Sequence, residues 1–337
     1  MNCPGNEPEL EDLLATPSTA DREALAKLKG NLLLLGAGGK MGPSLARLAK
    51  RAAPHLNVIA VARFSEAHLR PELERDGIET IARDLLAPGA LADLPDTDRV
   101  IYLAARKFGT AGDASPTWAT NTVLPGLVAQ RYAQSKIISW STGNVYPFVP
   151  VEGGGATELT PLAPVGEYGQ SALGRERVFE YYSRSQKTPV CMLRLNYAVD
   201  LRYGVLVDIA RQIQSGQAID LTMGHVNVIW QGDANSVCLR AWDLCASPPA
   251  ALNVTGAETL SVREIAEAIG ERLGVAPRFS GTPAPTALLS NSSQCRAIFG
   301  EPRVSAPQLL DWVTQWVTQG GRLLAKPTHF AVRDGKF

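Results

Sequence analysis

The chain has 337 residues, in which 33 lysines and arginines balance 33 aspartates and glutamates, and 45% of the residues are hydrophobic. This composition excludes disordered and fibrous proteins, and the length allows about two domains of roughly 150 residues. A net charge of zero without a basic block disfavours extended contact with nucleic acid or with an anionic membrane surface.

The first 29 residues precede the first strand-like run. Residues 1–17 are acidic and show neither a periodic pattern nor the apolar region of a secretory signal, so we expect a loose arm. Ser18 and Asp21 have the spacing of a capping box, which predicts a short helix that ends at Gly30. The five cysteines are scattered and form no C-x-x-C pair, which argues against disulfides and a metal site and favours the reducing cytoplasm.

From residue 30 onward, short apolar runs alternate with longer amphipathic segments. The runs cover residues 31–35, 57–62, 77–82, 99–105, 136–141 and 189–195. Helical spacing is found between them, notably at 41–53, 117–134 and 169–187. Unbroken apolar strands separated by helices predict an α/β fold with six parallel strands, a doubly wound Rossmann sheet covered on both faces.

After about residue 200 the pattern changes to helices joined by loops rich in glycine and proline. The predicted helices cover residues 205–215, 233–246, 261–273 and 306–319, and residues 251–255 are a short strand candidate. We therefore divide the chain into an N-terminal arm and helix (1–29), a dinucleotide-binding domain (30–200) and a smaller, mostly helical substrate lobe with a C-terminal tail (201–337). We expect a ligand cleft between the lobe and the strand ends. The tail from residue 325 has no periodic pattern and could pack as a strap or fray.

A glycine-rich turn joins the first strand to the helix that follows. Gly36, Gly39 and Gly42 are spaced as G-x-x-G-x-x-G, with Lys40 and Met41 before the last glycine. Glycines allow a tight turn, and the amide groups at a helix N-terminus stabilise a phosphate. The turn therefore predicts a dinucleotide site, although glycines needed only for packing are the alternative.

The second strand ends at Arg63, where an NAD site usually has an acidic residue that binds the ribose hydroxyls. An arginine here could face the 2′-phosphate of NADP. The sequence therefore favours NADP over NAD, with a merely solvated Arg63 as the alternative.

Further motifs follow the glycine turn in a fixed order. They are Asp84-Leu85, Leu103-Ala104-Ala105, Asn121, Ser141-Thr142-Gly-Asn-Val-Tyr146, and Tyr168-Gly-Gln-Ser-Ala172. With this ordered set, the chain resembles the extended short-chain dehydrogenase/reductases, the NAD(P)-dependent sugar epimerase/dehydratase group, over roughly residues 30 to 320.

The resemblance implies roles for individual residues. Asp84 would hydrogen-bond the adenine, Thr142 would polarise a substrate oxygen, and Tyr168 would be the general acid/base. The implied cofactor-binding residues are Gly36, Gly39, Lys40, Met41, Gly42, Arg63, Asp84, Leu85, Leu103, Ala104, Ala105, Asn121 and Tyr168.

The chain departs from the family pattern at the position four residues after Tyr168. The family has a lysine there, on the same helical face, where its ammonium favours ionisation of the phenol and holds the nicotinamide ribose. This chain has Ala172, so we expect Tyr168 to donate a proton more readily than it accepts one. Arg175, on the same face but ~10 Å along the helix axis, is a candidate substitute. A second departure is Val199-Asp200-Leu201, where the family usually has a Tyr-Gly-Pro-like turn.

The segments that follow the fourth to sixth strands line the substrate cleft in this fold. The predicted substrate-side residues are Lys107, Phe108, Trp118, Asn144, Asn196 and His225. His225 could instead be structural, and Trp118 could fill the lobe interface.

Three functions remain open at this point. The first is an epimerase/dehydratase-type oxidoreductase that acts with NAD or NADP on a sugar, a sugar nucleotide or a sugar acid. The second, motivated by Ala172, is a non-catalytic or redox-sensing NADP-binding protein of the same fold. The third is an enzyme in which Tyr168 acts only as a proton donor. The resemblance also implies a homodimer formed through the helices at 117–134 and 169–187.

Overall fold

The computed structural model describes residues 1–107, 112–324, 326 and 328–336. Phe108, one of the predicted substrate-side residues, lies outside the described residues. The described strands are β1 (Asn31–Leu35), β2 (Asn57–Ala62), β3 (Glu79–Ala82), β4 (Arg99–Tyr102), β5 (Lys136–Thr142), β6 (Val149–Pro150), β7 (Val190–Leu195), β8 (Ala198–Val199), β9 (Ala218–Asp220), β10 (His225–Val226), β11 (Ile229–Trp230), β12 (Ala250–Val254), β13 (Leu260–Ser261), β14 (Arg278–Ser280) and β15 (Thr286–Ala287).

The described α-helices flank the long strands and build the C-terminal lobe. They are α1 (Glu7–Leu14), α2 (Thr19–Ala26), α3 (Gly42–Ala52), α4 (Leu69–Arg75), α5 (Ser115–Trp118), α6 (Leu124–Arg131), α7 (Gly166–Gln186), α8 (Val205–Gln214), α9 (Gln231–Arg240), α10 (Val262–Leu273), α11 (Ser293–Phe299) and α12 (Ala306–Thr318). None of the helices in these described ranges combines the length and the apolar character that a bilayer-spanning helix requires.

A parallel sheet with the strand order β12-β7-β5-β4-β1-β2-β3 forms the centre of the molecule. In β1, Leu32 and Leu34 pack into the core beneath α3, whereas Leu33 and Leu35 pack into the core beneath α6 and α7. An unbroken apolar run therefore forms this strand because both of its faces are buried. The strand order reverses between β1 and β4, which opens a crevice at the carboxyl ends of these strands.

The predicted doubly wound sheet is confirmed, but it has seven strands instead of six. The additional strand, β12, pairs with β7 in the register Leu252 with Leu193. It lies at the sheet edge and contains the polar Asn253, whose side chain is hydrogen-bonded to Tyr146 Oη and to the carbonyl of Ala156. The chain thus returns to the sheet within the segment that we assigned to the substrate lobe.

Part of the N-terminal arm is helical, so the expectation of a loose segment over residues 1–17 was wrong for α1. Asn6 caps this helix by accepting a hydrogen bond from Glu9 N at 3.0 Å. Leu10 and Leu14 are fully buried, since their spacing of four residues places both on one helical face. At α2 the predicted capping box is present: the Ser18 side chain accepts from the backbone N–H of Asp21, whose carboxylate accepts from Ser18 N.

The predicted helix over 117–134 is broken into three parts. Between α5 and α6 the backbone forms a π-helical turn at Ala119–Val123. The hydroxyls of Thr120 and Thr122 donate to the carbonyls of Pro116 and Trp118, four residues earlier. A π turn of this kind is common near functional sites, and here it contains Asn121.

The C-terminal lobe encloses its own core between α8, α10 and α12. The tail packs against this lobe. Phe330 is buried in the lobe core, and Arg333 donates to the carbonyl and the hydroxyl of Thr286 at 2.8 Å each. We call the described tail residues, 326 and 328–336, the C-terminal strap.

Candidate functional site

The glycine turn after β1 has one open face. Gly36 has a φ of +90°, and a Cβ there would lie 2.5 Å from Ala104 N at the end of β4. A Cβ at Gly42 would collide with the backbone of Ala37. At Gly39, in contrast, a Cβ would meet only the carbonyl oxygen of Gly36, at 3.7 Å. The first and last glycines are therefore required by packing, and the middle one leaves space that a ligand phosphate could use.

A cavity of about 510 Å³ opens beside this turn, at the carboxyl ends of β1 to β4. Eight of the predicted cofactor-binding residues line it: Gly36, Gly39, Arg63, Asp84, Leu85, Leu103, Ala104 and Ala105. The carboxylate of Asp84 also accepts a hydrogen bond from Leu86 N at 3.0 Å. The contact of these residues with a cofactor stays a prediction.

The same cavity contains both signs of charge near the end of β2. Arg63 and Arg83 line it, and so does Glu66, three residues after Arg63. Its Oε2 lies 3.7 Å from His68 Nε2, a contact that is an ion pair only when the imidazole is protonated. Arginines suit a 2′-phosphate, whereas a carboxylate suits ribose hydroxyls. Glu66 could not be found from the residues next to the strand end, because it lies four positions after the last residue of β2.

Lys40 links the glycine turn to the C-terminal lobe. Its Nζ lies 2.8 Å from the centroid of the Tyr203 ring, in a cation–π contact. Burial, together with the nearby ammonium groups of Lys107 and Lys326, lowers the pKa of Lys40 to about 7. Met41, the next residue, packs against the core beneath the sheet. The floor of the crevice is therefore rich in lysine, which suits an anionic ligand.

Thr142 stands at the carboxyl end of β5. Its hydroxyl oxygen accepts hydrogen bonds from the backbone N–H of Asn144 at 3.2 Å and from the Asn144 side chain at 3.1 Å. The first turns of α7 pack closely on this segment, since a Cβ at Gly169 would lie 2.8 Å from the Asn144 carbonyl oxygen. Tyr168 precedes Gly169, so the structure brings the two predicted catalytic segments together.

Lys107 provides a positive charge near Tyr168. Its Nζ lies 5.7 Å from the centroid of the Tyr168 ring and donates to the carbonyl oxygen of Thr328 at 3.2 Å. Burial lowers the pKa of Lys107 to about 8, an effect that the carboxylate of Asp208 opposes. We had predicted Lys107 as a substrate-side residue, and the structure places it beside the predicted general acid/base.

Arg175 does not take the place of the missing lysine. Ala172 is fully buried and packs with Val145. The guanidinium of Arg175 donates from Nη1 to the carbonyl of Trp140 at 2.7 Å and from Nη2 to Asn121 Oδ1 at 2.9 Å. Through these hydrogen bonds Arg175 holds α7 against β5 and the π turn.

Asn121 acts as a buried connector. Its Oδ1 accepts from Arg106 N at 3.0 Å, and its Nδ2 donates to the Arg106 carbonyl at 3.0 Å and to Ser171 Oγ at 2.9 Å. It therefore fixes the backbone that precedes Lys107 and ties that backbone to α7. The predicted contact of Asn121 with a cofactor stays untested.

Of the other predicted substrate-side residues, Trp118 donates from Nε1 to Glu167 Oε2 at 2.5 Å. Asn196 is almost fully buried and donates to the carbonyl of Leu288 at 3.2 Å. His225 lies in β10, and its buried Nδ1 has no hydrogen-bond partner within the part of the chain that the structure describes. Trp118 and Asn196 thus have structural contacts, and a substrate role for these residues stays a prediction.

Residues of the lobe and the strap that our sequence analysis missed also contribute to the crevice. The backbone N–H and the hydroxyl of Thr328 both donate to Asp208 Oδ2 at 2.7 Å. Burial raises the pKa of the Asp208 carboxyl, although these two hydrogen bonds oppose the shift. No sequence motif marks Asp208, Tyr203 or Thr328, because their roles depend on how the strap folds back.

Comparison with known proteins identifies the family. The model of the NAD dependent epimerase/dehydratase family matches residues 32–229, more than half of the chain, and the chain belongs to this family. A comparison with curated protein sequences finds no significant match.

Solved structures of similar fold include sugar-nucleotide enzymes. A UDP-glucuronic acid 4-epimerase from Bacillus cereus in complex with NAD is 18% identical, with a TM-score of 0.71, over 86% of this chain and 99% of that one. A UDP-glucose 4-epimerase from Thermotoga maritima with UDP-glucose is 16% identical, with a TM-score of 0.72, over 86% and 99% of the two chains. A dTDP-glucose 4,6-dehydratase from Bacillus anthracis in complex with NAD is 17% identical, with a TM-score of 0.72, over 86% and 96%. At these identities the likeness concerns the fold.

Proposed function

We propose that this protein binds a nicotinamide dinucleotide and catalyses an oxidation or reduction at a carbinol of a sugar nucleotide or related sugar. The observation that carries the proposal is the arrangement at one edge of the sheet. The glycine turn and its cavity lie at the carboxyl ends of β1 to β4, and the segment with Thr142 and Asn144 packs on the helix that carries Tyr168.

When bound, the nicotinamide group supplies the acceptor or the donor of a hydride. Tyr168 would exchange a proton at its Oη with the substrate oxygen. Thr142 would orient that oxygen through its hydroxyl, which is itself held by Asn144. Lys40, Met41 and Gly39 would hold the diphosphate at the turn.

The choice between NAD and NADP is part of the proposal. Arg63 and Arg83 in the adenosine cavity support NADP. Glu66 in the same cavity and the NAD named for the neighbouring structures support NAD. We propose NADP, because Arg63 directly follows β2, where an NAD site usually has an acidic residue, and Arg83 lines the same cavity.

The neighbours named for UDP-glucose and UDP-glucuronic acid support a nucleotide-linked sugar as the substrate class.

We also propose a homodimer. Val123 and Leu127, at the π turn and on α6, and Tyr181 on α7 are large apolar residues with 41% to 65% of their surface exposed on adjoining helices. A second copy packed there would bury them. The five cysteines are free, which supports a cytoplasmic location.

The second candidate function is a dinucleotide-binding sensor without turnover. Ala172 favours it, because the lysine that assists proton transfer in the family is absent. A third possibility, an enzyme in which Tyr168 only donates a proton, shares the same cofactor site.

One experiment separates an enzyme from the sensor. The protein is loaded with NADP or NAD, incubated with a panel of UDP- and dTDP-sugars, and followed by the absorbance of reduced nicotinamide and by product analysis. We expect turnover that Tyr168→Phe reduces about 10²- to 10⁴-fold. Tyr132→Phe removes a hydroxyl bonded to the Pro95 carbonyl, outside the crevice, and serves as the matched control. Binding without any absorbance change or product would favour the sensor.

A further inference from the structure

Lys107 is held at two points, at the backbone next to it and at its ammonium group. Asn121 holds the backbone of the preceding Arg106 through its amide and its carbonyl. At the other end, the ammonium donates to the Thr328 carbonyl and lies over the Tyr168 ring. An ammonium group therefore reaches Tyr168 from the segment after β4, although α7 carries none at position 172.

The C-terminal strap holds the acceptor of this ammonium in place. Thr328 is anchored by two hydrogen bonds to Asp208, and Phe330 is buried in the lobe core. Near its end, the strap backbone at Gly335 packs directly on Gly166, the first residue of α7. A Cβ on Gly335 would lie 2.6 Å from the Gly166 Cα, so the two backbones touch. The strap thus connects Lys107 with the beginning of the helix that carries Tyr168.

We propose that Lys107, held by the C-terminal strap, supplies beside Tyr168 the positive charge that the chain lacks at Ala172. Its use in catalysis rests on the proposed function. When the phenol O–H bond of Tyr168 breaks, the proton passes to the substrate oxygen and the ammonium stabilises the negative charge left on Oη. In the opposite direction the phenolate takes the proton back. Lys107 is accordingly a positioning residue that acts through Tyr168.

The titratable groups that interact with this pair are Asp208 on α8 and Lys40 at the glycine turn, both with Lys107, and Tyr203, with Tyr168. Lys107 itself has a pKa of about 8, because burial disfavours its charge. A charged ammonium beside a phenol ring stabilises the phenolate, and this attraction is what the proposal assigns to Lys107.

The test uses the full-length protein without cofactor. Tyrosine labelled with carbon-13 at Cζ reports phenol ionisation by NMR, and Tyr168→Phe assigns the signal. We expect the Tyr168 signal of Lys107→Met to begin to shift at a pH about 1 to 2 units higher than the signal of the wild type. Lys107→Arg keeps a charge at every pH used and should retain the early shift.

Two further variants sharpen the result. Lys136→Met is the matched control, because Lys136 also donates to a backbone carbonyl at 3.2 Å, that of Trp242, away from the crevice. It should leave the Tyr168 titration unchanged. Adding Ala172→Lys to Lys107→Met should restore the early shift, since the new lysine lies one helical turn after Tyr168.

An identical Tyr168 titration in the wild type and in Lys107→Met would overturn the proposal. So would kinetics at saturating dinucleotide and substrate in which Lys107→Met weakens only cofactor binding and leaves the turnover rate and its pH dependence unchanged. Because the NMR titration needs neither cofactor nor turnover, its result stays distinct from a failure of the proposed function, which would appear as absent hydride transfer in the wild type.

Discussion

Arg194 on β7 and Glu176 on α7 form a buried ion pair with two parallel hydrogen bonds. Arg194 Nε donates to Oε1 at 3.0 Å and Nη2 donates to Oε2 at 2.7 Å. Ser141 donates to the same carboxylate at 2.5 Å, and Arg194 Nη1 donates to Tyr146 Oη at 2.8 Å. This network fixes α7, and with it Tyr168, against the carboxyl half of the sheet.

We expect Arg194→Met to destabilise the protein by about 3 to 5 kcal/mol, because it leaves the Glu176 carboxylate buried without its partner. Urea unfolding followed by circular dichroism measures the loss. Glu180→Gln on the same helix is the control, since Glu180 pairs with Arg177 and Arg184 at the surface. It should cost less than about 1 kcal/mol. Equal losses of unfolding free energy for the two variants would show that the buried pair stabilises the protein no more than the surface pairs do.

The strands and the glycine turn could be predicted from the sequence because their signals are local. The NLLLL run of β1 needs two buried faces, and Gly36 and Gly42 follow it directly. Residues 251–255 could be predicted as a short strand, but not as the seventh strand of the sheet, because the pairing of β12 with β7 is a long-range contact without a local signal. Helix α1 was missed because two buried leucines in eight residues give a weak periodic signal, and its ion pairs with distant arginines have no sequence signature.

Within the site, the motif residues were predictable and their long-range partners were not. Thr142 and Tyr168 belong to motifs that can be recognised in the sequence. The bonds from Lys107 to Thr328 and from Thr328 to Asp208 join residues more than one hundred positions apart. Such contacts depend on the path of the C-terminal strap, and this path cannot be predicted because the strap has no periodic sequence pattern.

Dinucleotide binding should take up protons at neutral to mildly alkaline pH. Lys40 has a pKa of about 7 and Lys107 of about 8, so both are partly neutral there in the free protein. A bound diphosphate favours the charged lysines and raises their pKa values, so the complex holds more protons than the free protein and the affinity falls as the pH rises from 6 to 9.

Calorimetry in two buffers of different ionisation enthalpy measures this proton uptake. Lys40→Met should reduce the uptake and flatten the pH dependence. Lys50→Met, which removes an ammonium bonded to the Pro54 and Leu56 carbonyls, should leave both unchanged. Binding without any linked proton, at a constant affinity across this range, would contradict the expectation.

Arg63 should decide the preference between the two dinucleotides. We expect Arg63→Ala to weaken NADP binding about 10-fold or more and to leave NAD binding nearly unchanged, because only NADP carries the 2′-phosphate. Fluorescence titration with both dinucleotides measures the two affinities. Arg70→Ala, an exposed residue of α4 that bonds Glu74, is the control. A parallel loss for NAD and NADP would assign Arg63 to another part of the site.

Gly36→Ala should destabilise the fold. The φ of +90° is unfavourable for alanine, and its Cβ would lie 2.5 Å from Ala104 N, just after β4. We expect a loss of about 2 kcal/mol or more in urea unfolding. Gly153→Ala, where the nearest atom is 3.8 Å away, is the matched control and should change stability by less than about 1 kcal/mol. A Gly36→Ala protein as stable as the control would show that the turn can relax.

The most direct test of the account is a calorimetric titration of the wild type and of Gly39→Ala with NADP and NAD. A methyl group at Gly39 has room in the free protein, so unfolding should be unchanged, yet it stands where the diphosphate is expected. We predict saturable binding of at least one dinucleotide to the wild type and a loss of about 10-fold or more in Gly39→Ala at equal stability. A wild type that binds neither dinucleotide, or a Gly39→Ala variant that binds as tightly as the wild type, would contradict the account.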